Sequence, residues 1–145
     1  MRDAAHTPPT PATQPGHQPG SVLVLGEALV DVFDSGPEAG GAPFNVARSL
    51  AALKVPVTCI TRLGDGDRWA DLLLRSAEDF GLSTQGFQQD ALHPTGTVQV
   101  VQTGAAHTFR IADDVAWDYL DAEQAQPLLP HAAPPAFVYF GTLAQ

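Results

Sequence analysis

Two kinds of apolar pattern alternate along this chain and set its expected elements. Val22 to Leu25 (VLVL) and Val57 to Thr61 are runs of the kind required by a strand buried on both faces of a parallel sheet, and PAFVYFGTL supplies another buried strand at Ala136 to Phe140. Between the first two runs, Ala47, Leu50, Ala51 and Leu53 recur at helical spacing, predicting a helix from Phe44 to Leu53 that closes before Pro56. Strand, loop, helix, strand implies a parallel pair. From Asp67 onward, Trp69, Leu72, Leu73, Ser76, Ala77 and Phe80 form a one-sided helical stripe, stopped by Gly81 in the C′ position.

Weaker patterns fill the rest. Leu29, Val30, Val32 and Phe33 predict a short strand before a Gly36-Pro37 turn, and Gly86 to Gln88 another. The segment TVQVVQTGAAHTFRI alternates and turns around Gly104, which predicts a half-exposed β-hairpin from Thr97 to Ile111. A last helix is expected from Asp121 to Leu129, broken into by Pro127. The expected fold class is α/β with a parallel central sheet. That sheet looks unfinished, because three or four strands and two or three helices leave a parallel sheet with an open edge.

Composition narrows the function. Seven basic against sixteen acidic side chains give a net charge of −9, and Lys54 is the one lysine. Such a field repels phosphate backbones and argues against nucleic acid. No segment approaches the roughly 20 apolar residues of a membrane helix. The single cysteine, Cys59, lies in the apolar run VTCIT and reads as a buried structural thiol, and the lack of a disulfide framework fits a reducing cytoplasm. Residues 1–20 carry five prolines and no apolar core, and are expected to form a disordered tail rather than a signal peptide.

Ligands of open α/β sheets bind outside the carboxyl ends of the strands. Gly26, Glu27 and Asp31 follow the first strand, Gly64 and Asp65 the second, Gly141 and Thr142 the last. Asp31 stands out, because a carboxylate can accept hydrogen bonds from the two hydroxyls of a vicinal diol. Asn45 could add a donor and an acceptor beside it. A solvated loop carboxylate and an ordinary helix cap account for the two residues equally well. The helix behind them opens on Gly40 and Gly41, which tolerate positive φ and let a backbone approach something closely.

These residues carry a resemblance. GGAPFNVARSLAAL closely resembles the first signature of the ribokinase-like (PfkB) carbohydrate kinases, and GEALVD before it resembles that family's opening strand and sugar-binding aspartate. LGDGDRWADLLLRSAEDFGL is similar to the family's second helix with its Gly-Asp turn, and FGTL to the strand that ends beside its active site. The resemblance runs from Val22 to Leu143. It implies a Rossmann-like ribokinase fold, truncated, with residues 21–145 forming the N-terminal part of the kinase domain. A small β-sheet lid would come from strands near residues 27–36 and 97–111. It also implies that Asp31, Gly40, Gly41 and Asn45 contact a sugar. The GGAP form resembles fructokinases more than ribokinases, which implies a fructose-like ketohexose.

The same resemblance implies ATP and Mg²⁺ for a complete family enzyme, held by a second half with an Asp-Thr-x-Gly-Ala-Gly-Asp motif that supplies the anion hole and the catalytic base. No such motif occurs between Met1 and Gln145. Asp65 and Asp67 precede a helix on the other side of the domain and do not replace it. The chain is therefore expected to lack catalytic residues of its own, to bind no nucleotide tightly and to be inactive alone. A noncatalytic sugar-binding or assembly module is the competing reading; a nucleotide-binding Rossmann domain is disfavoured, because the first strand leads to GEALVD rather than G-x-G-x-x-G.

Other candidates are weaker. Arg110 shares one face of the hairpin with Thr108 and could reach a substrate hydroxyl or phosphate, against the competing reading of a surface arginine in solvent. His6, His17, His93, His107 and His131 are dispersed without ligand spacing, which argues against a metal site. Asp113, Asp114 and Asp118 around Trp117 read as a solvated face, with the magnesium that the resemblance implies as the alternative, and Trp69 reads as core rather than as a stacking platform. Expected associations are a homodimer through the lid or self-association through the open sheet edge.

Overall fold

A computed structural model of the chain describes residues 20–103, 106–129 and 134–143. The proline-rich tail, the turn at Gly104 and three of the histidines, His6, His17 and His131, lie outside the described residues, apart from Gly20 at the end of the tail.

Four strands form a parallel sheet: β1 (Val22–Leu25), β4 (Val57–Gly64), β5 (Phe87–Asp90) and β8 (Phe137–Phe140), in the order β5-β4-β1-β8. β1 occupies the middle, with Val24 opposite Cys59 of β4 on one side and Tyr139 of β8 on the other. The expected strand, helix, strand unit is present. Helix α1 (Ala42–Ala52) joins the excursion after β1 to β4, and α2 (Arg68–Asp79) joins β4 to β5. Their apolar stripes bury Phe44, Ala47, Leu73 and Ala77 completely, against Val24, Cys59 and Leu63 of the sheet. Burial pushes the Cys59 thiol up to about 12, in keeping with a structural cysteine.

A second, mixed sheet stands beside the first. It has the order β3-β2-β6-β7, from β2 (Leu29–Phe33), β3 (Gly36–Gly40), β6 (Thr97–Thr103) and β7 (Ala106–Ile111). β2 runs parallel to β6 and antiparallel to β3. The two faces of β2 serve different purposes. Val30 and Val32 pack with the main core, while Leu29 and Phe33 join Val98, Val100, Val115 and Trp117 in a smaller cluster.

Polar side chains bind the sheets together. The buried Thr61 hydroxyl accepts from Ala28 N–H at 3.1 Å where β1 leads toward β2. Asp67 caps α2 by accepting from Trp69 and Ala70 N–H, and its other oxygen accepts from Thr95 N–H, whose own hydroxyl accepts from Gly64 N–H. Gly81, with φ +69°, ends α2 as the sequence pattern implies.

Three expectations are corrected. The chain does not turn at Gly36-Pro37: Phe33 pairs with Gly36 across a loop at Asp34 and Ser35, so Gly36–Gly40 becomes a strand. The last helix shrinks to α3 (Ala122–Ala125) and a 3-10 turn at Gln126–Leu128, because Pro127 has no N–H to continue the ladder. β8 is not buried. Phe137 and Phe140 are 73% and 60% exposed, because β8 is the edge strand and the long helices pack elsewhere, α1 over β1 and β4 and α2 over β2, β3 and β4. Among the described residues, no helix is long and apolar enough to cross a membrane.

An apolar, unpaired strand edge is a template for intermolecular pairing. The chain is expected to self-associate in sedimentation velocity, and Phe137→Lys combined with Phe140→Lys to shift it toward monomer without lowering the melting temperature. A monodisperse monomer with wild-type β8 counts against this.

Candidate functional site

The site is built around the passage from β3 into α1. Asp31 sits in β2 directly across from Glu38 of β3, and Gly40 pairs with Leu29 two residues on. All four residues share the face of the small sheet that carries Val98 and Val100. Asp31 leans over Gly40 so closely that a Cβ at position 40 would stand 2.2 Å from its Oδ2 and 3.2 Å from Leu29 Cδ1. The carboxylate fills the space that a side chain would take. Gly41 solves a different problem. With φ +100° it is the N-cap of α1, and a Cβ there would stand 2.6 Å from the carbonyl oxygen of Glu27. Of the two glycines, Gly41 supplies the positive φ and Gly40 the close approach.

α1 has no side-chain cap and opens through Pro43 and Phe44, both buried. Phe44 meets Phe87 edge-on at 6.0 Å. Asn45 is exposed in the first turn, its backbone N–H donating to Gly41 O at 2.9 Å, and its side-chain Oδ1 accepts from Nη2 of Arg48. Arg48 also donates to Ser76 Oγ of α2 at 2.6 Å and to the Ala39 carbonyl of β3 at 3.1 Å. Asp31, Gly40, Gly41 and Asn45 thus follow one path of backbone, from β2 across β3 to the start of α1, with Asp31 half-buried, the two glycines buried and Asn45 exposed.

Asp31 is electrostatically unfavoured here. Partial burial, and then the charge of Glu38 opposite, raise its pKa above the ordinary carboxylate range. Glu27 is more deeply placed, 3% exposed, at the carboxyl end of β1. Its Oε2 has no hydrogen-bond partner among the described residues and lies against Gly141, beside Pro43.

Arg110 does not join this group. Register aligns it with Gln99, which pairs with Val32, so it occupies the opposite face of the small mixed sheet from Asp31. Asp65 is exposed, and Asp67 is consumed by its cap bonds. Asp113, Asp114 and Asp118 are exposed around a buried Trp117. Trp69 packs against the main core with Arg68 over its ring at 4.0 Å.

One residue escapes a reading of the sequence as a site component: Arg48 could have been noticed as a charge set among Ala47, Leu50 and Ala51 one turn after Asn45. Glu27, which the sequence puts at the carboxyl end of the first strand, is buried there. A further polar cluster, Asp90 with Arg62 Nε at 2.7 Å and His93 Nδ1 at 3.1 Å, is internally satisfied. Burial drives the Asp90 carboxyl upward, but the amides of Leu92 and His93, together with Arg62 and the His93 ring, outweigh it and hold it far below the ordinary range.

Residues 22–145 match the family described as pfkB family carbohydrate kinase. The chain belongs to this family of carbohydrate kinases. It is 31% identical over 111 residues to a sugar kinase of Pyrococcus horikoshii, covering 68% of this chain and 35% of that protein. To a fructokinase of Escherichia coli it is 38% identical over 84 residues, covering 54% of this chain and 27% of the other. The crystal structure of the Pyrococcus protein superimposes with a TM-score of 0.73 at 26% identity, over 85% of this chain and 45% of that one. A Xylella fastidiosa fructokinase with bound ATP gives a TM-score of 0.65 at 29% identity, over 72% and 34%. The chain thus spans about a third of the length of the curated kinases it matches. The ribokinase-like α/β fold expected from the signature residues is the fold observed, truncated relative to those structures.

The Asp31 environment fixes the sign of a pH effect. A carboxyl whose folded pKa is raised binds its proton more tightly in the folded chain, so it withdraws stability as pH rises through that pKa. Asp31→Asn is expected to raise the melting temperature at neutral pH, the gain vanishing in acid below the unfolded pKa. Glu38→Gln is expected to lower the Asp31 pKa only in part, since burial is the larger cause, as read by carboxyl ¹³C titration. An Asp31 pKa at or below the model-peptide value contradicts the assignment.

Proposed function

We propose that this chain carries the acceptor-binding side of an ATP-dependent carbohydrate kinase, with a fructose-like ketohexose as its acceptor. The observation that carries the proposal is the Asp31 carboxylate seated against Gly40, next to the glycine-opened start of α1 that holds Asn45. An ionised carboxylate accepts from two adjacent hydroxyls, and the missing side chain at Gly40 gives that carboxylate its place beside the start of α1. Asn45 adds a polar contact from the helix. The fructose-like acceptor is supported by the GGAP form of the signature and by the fructokinases among the relatives.

Membership of the family implies ATP and Mg²⁺, and the described residues offer them a poor fit. A triphosphate is commonly held by free amides at a helix N-terminus. Here α1 starts beside the buried Glu27 carboxyl and carries Pro43, which has no N–H, while the first amides of α2 are already taken by the Asp67 carboxylate. α2 thus opens on a carboxylate, the wrong sign for phosphate. No phosphoryl-transfer step is derived from these residues. That same observation favours a second reading, a noncatalytic sugar-binding or assembly module of kinase descent.

For the chain of 145 residues, no sugar-dependent ADP release is expected with fructose, ribose, glucose or 2-keto-3-deoxygluconate, and no saturable ATP binding with Mg²⁺ in calorimetry. Fructose binding is expected and should weaken about 10- to 100-fold in Asp31→Ala, since a hydrogen bond to a charged group contributes about 1.5 to 3 kcal/mol. Turnover that purifies with the chain and disappears in Asp31→Ala overturns the poor fit to phosphate. Fructose affinity that ignores Asp31→Ala overturns the site.

A further inference from the structure

The side chain of Asn45 has two ends, and one neighbour decides which end faces the ligand. Arg48 stands one helical turn further along α1. Its guanidinium lies 4.7 Å from the centroid of the Phe44 ring and 5.0 Å from that of Phe80, so two aromatic rings hold it. Nη1 donates to Ser76 Oγ on α2, and Nη2 donates both to the Ala39 carbonyl on β3 and to Asn45 Oδ1 on α1 itself. Three elements are tied through one rigid, planar fork. A guanidinium has five donors and no acceptor, so whatever faces it must be an oxygen. The Asn45 amide therefore turns its oxygen inward to Arg48, and its Nδ2 donors are left for the other side.

We infer that Arg48 is a positioning residue: it fixes Asn45 as a pure hydrogen-bond donor toward the acceptor sugar and clamps β3 to α1 on either side of the Gly40-Gly41 joint. The inference rests on the sugar-binding reading given above and goes beyond it in assigning polarity. Ionised Asp31 only accepts, so it selects ligand hydroxyls that donate. Asn45, held this way, only donates, so it selects a ligand oxygen free to accept. The two positions cannot exchange roles without breaking the Arg48 bond. The Ala39 bond adds a geometric consequence. β3 and α1 flank the joint, and the same guanidinium holds one from each side, which limits how far Asn45 can move relative to Asp31. Burial lowers the Arg48 pKa from its usual value, yet a guanidinium remains charged across the physiological range and the clamp does not titrate there.

The test combines a ligand-free readout with a ligand-bound one in the full chain. The Asn45 side-chain NH₂ resonances are assigned by NMR in wild type, Arg48→Lys and Arg48→Ala, and fructose affinity is measured in those chains and in Asn45→Ala and Asn45→Ala/Arg48→Lys. Melting temperatures accompany each. The expected result is a distinct Asn45 amide pair in wild type that collapses toward random-coil positions in both Arg48 variants. Arg48→Lys, which keeps the charge and the fold, is expected to weaken fructose binding about fivefold or more, and to add nothing once Asn45 is already alanine. Additive losses in the double variant, or an Asn45 amide signature unchanged by Arg48→Lys, overturn the inference. Should no chain bind fructose, the sugar reading fails while the amide signature alone still decides whether Arg48 orients Asn45.

Discussion

The folded chain depends on one tight crossing, where β3 hands over to α1 across the backbone that joins β1 to β2. At Gly41 the Glu27 carbonyl and a positive φ exclude a side chain, and at Gly40 a side chain would displace the Asp31 carboxylate. Because Gly40 and Gly41 carry no side chain, β3 runs directly into α1 with no connecting loop, and the Asp31 carboxylate of β2 takes the place of a side chain at Gly40. Site and scaffold are therefore the same piece of backbone.

The remaining architecture holds that crossing in place. β1 is the central strand, flanked by β4 and β8, and β2 shares its two faces between two cores. Polar bonds from Thr61, Asp67 and Thr95 close the gaps where the sheets meet, each satisfying a backbone N–H that burial would otherwise leave without a partner. The cost is concentrated at Asp31, half-buried opposite Glu38, and at Glu27, whose buried Oε2 has no hydrogen-bond partner among the described residues. Residues kept against the preference of the fold are where binding chemistry is to be sought.

Much of this was legible from residue pattern. β1, β4 and both long helices follow from apolar spacing, with Asp67 and Gly81 marking the ends of α2, and the glycine pair pointed at the joint before any geometry was known. Other features depend on neighbours that no local pattern encodes. GPEAG has no strand propensity, and it becomes β3 because the turn at Asp34 and Ser35 lays it along β2. FVYF has the apolarity of a buried strand, but burial needs something packed on it, and β8 has β1 on one side alone. Arg110 looks like a lid contact until the register assigns it to the face away from Asp31. Arg48 was silent because its importance lies in partners on β3 and α2, between nine and 28 residues away.

The central claim is that the Asp31 carboxylate occupies the space beside Gly40 in order to face a sugar. Gly40→Ala tests it most directly, since the new methyl meets the movable end of Asp31 before it meets backbone. Calorimetry with fructose on wild type and Gly40→Ala, with thermal melts of both, is the measurement. The expected result is a loss of fructose affinity of about tenfold or more, the scale of one hydrogen bond to a charged group, with a melting temperature lowered by only a few degrees. Equal fructose affinity in the two chains, or no affinity in either, would contradict the account.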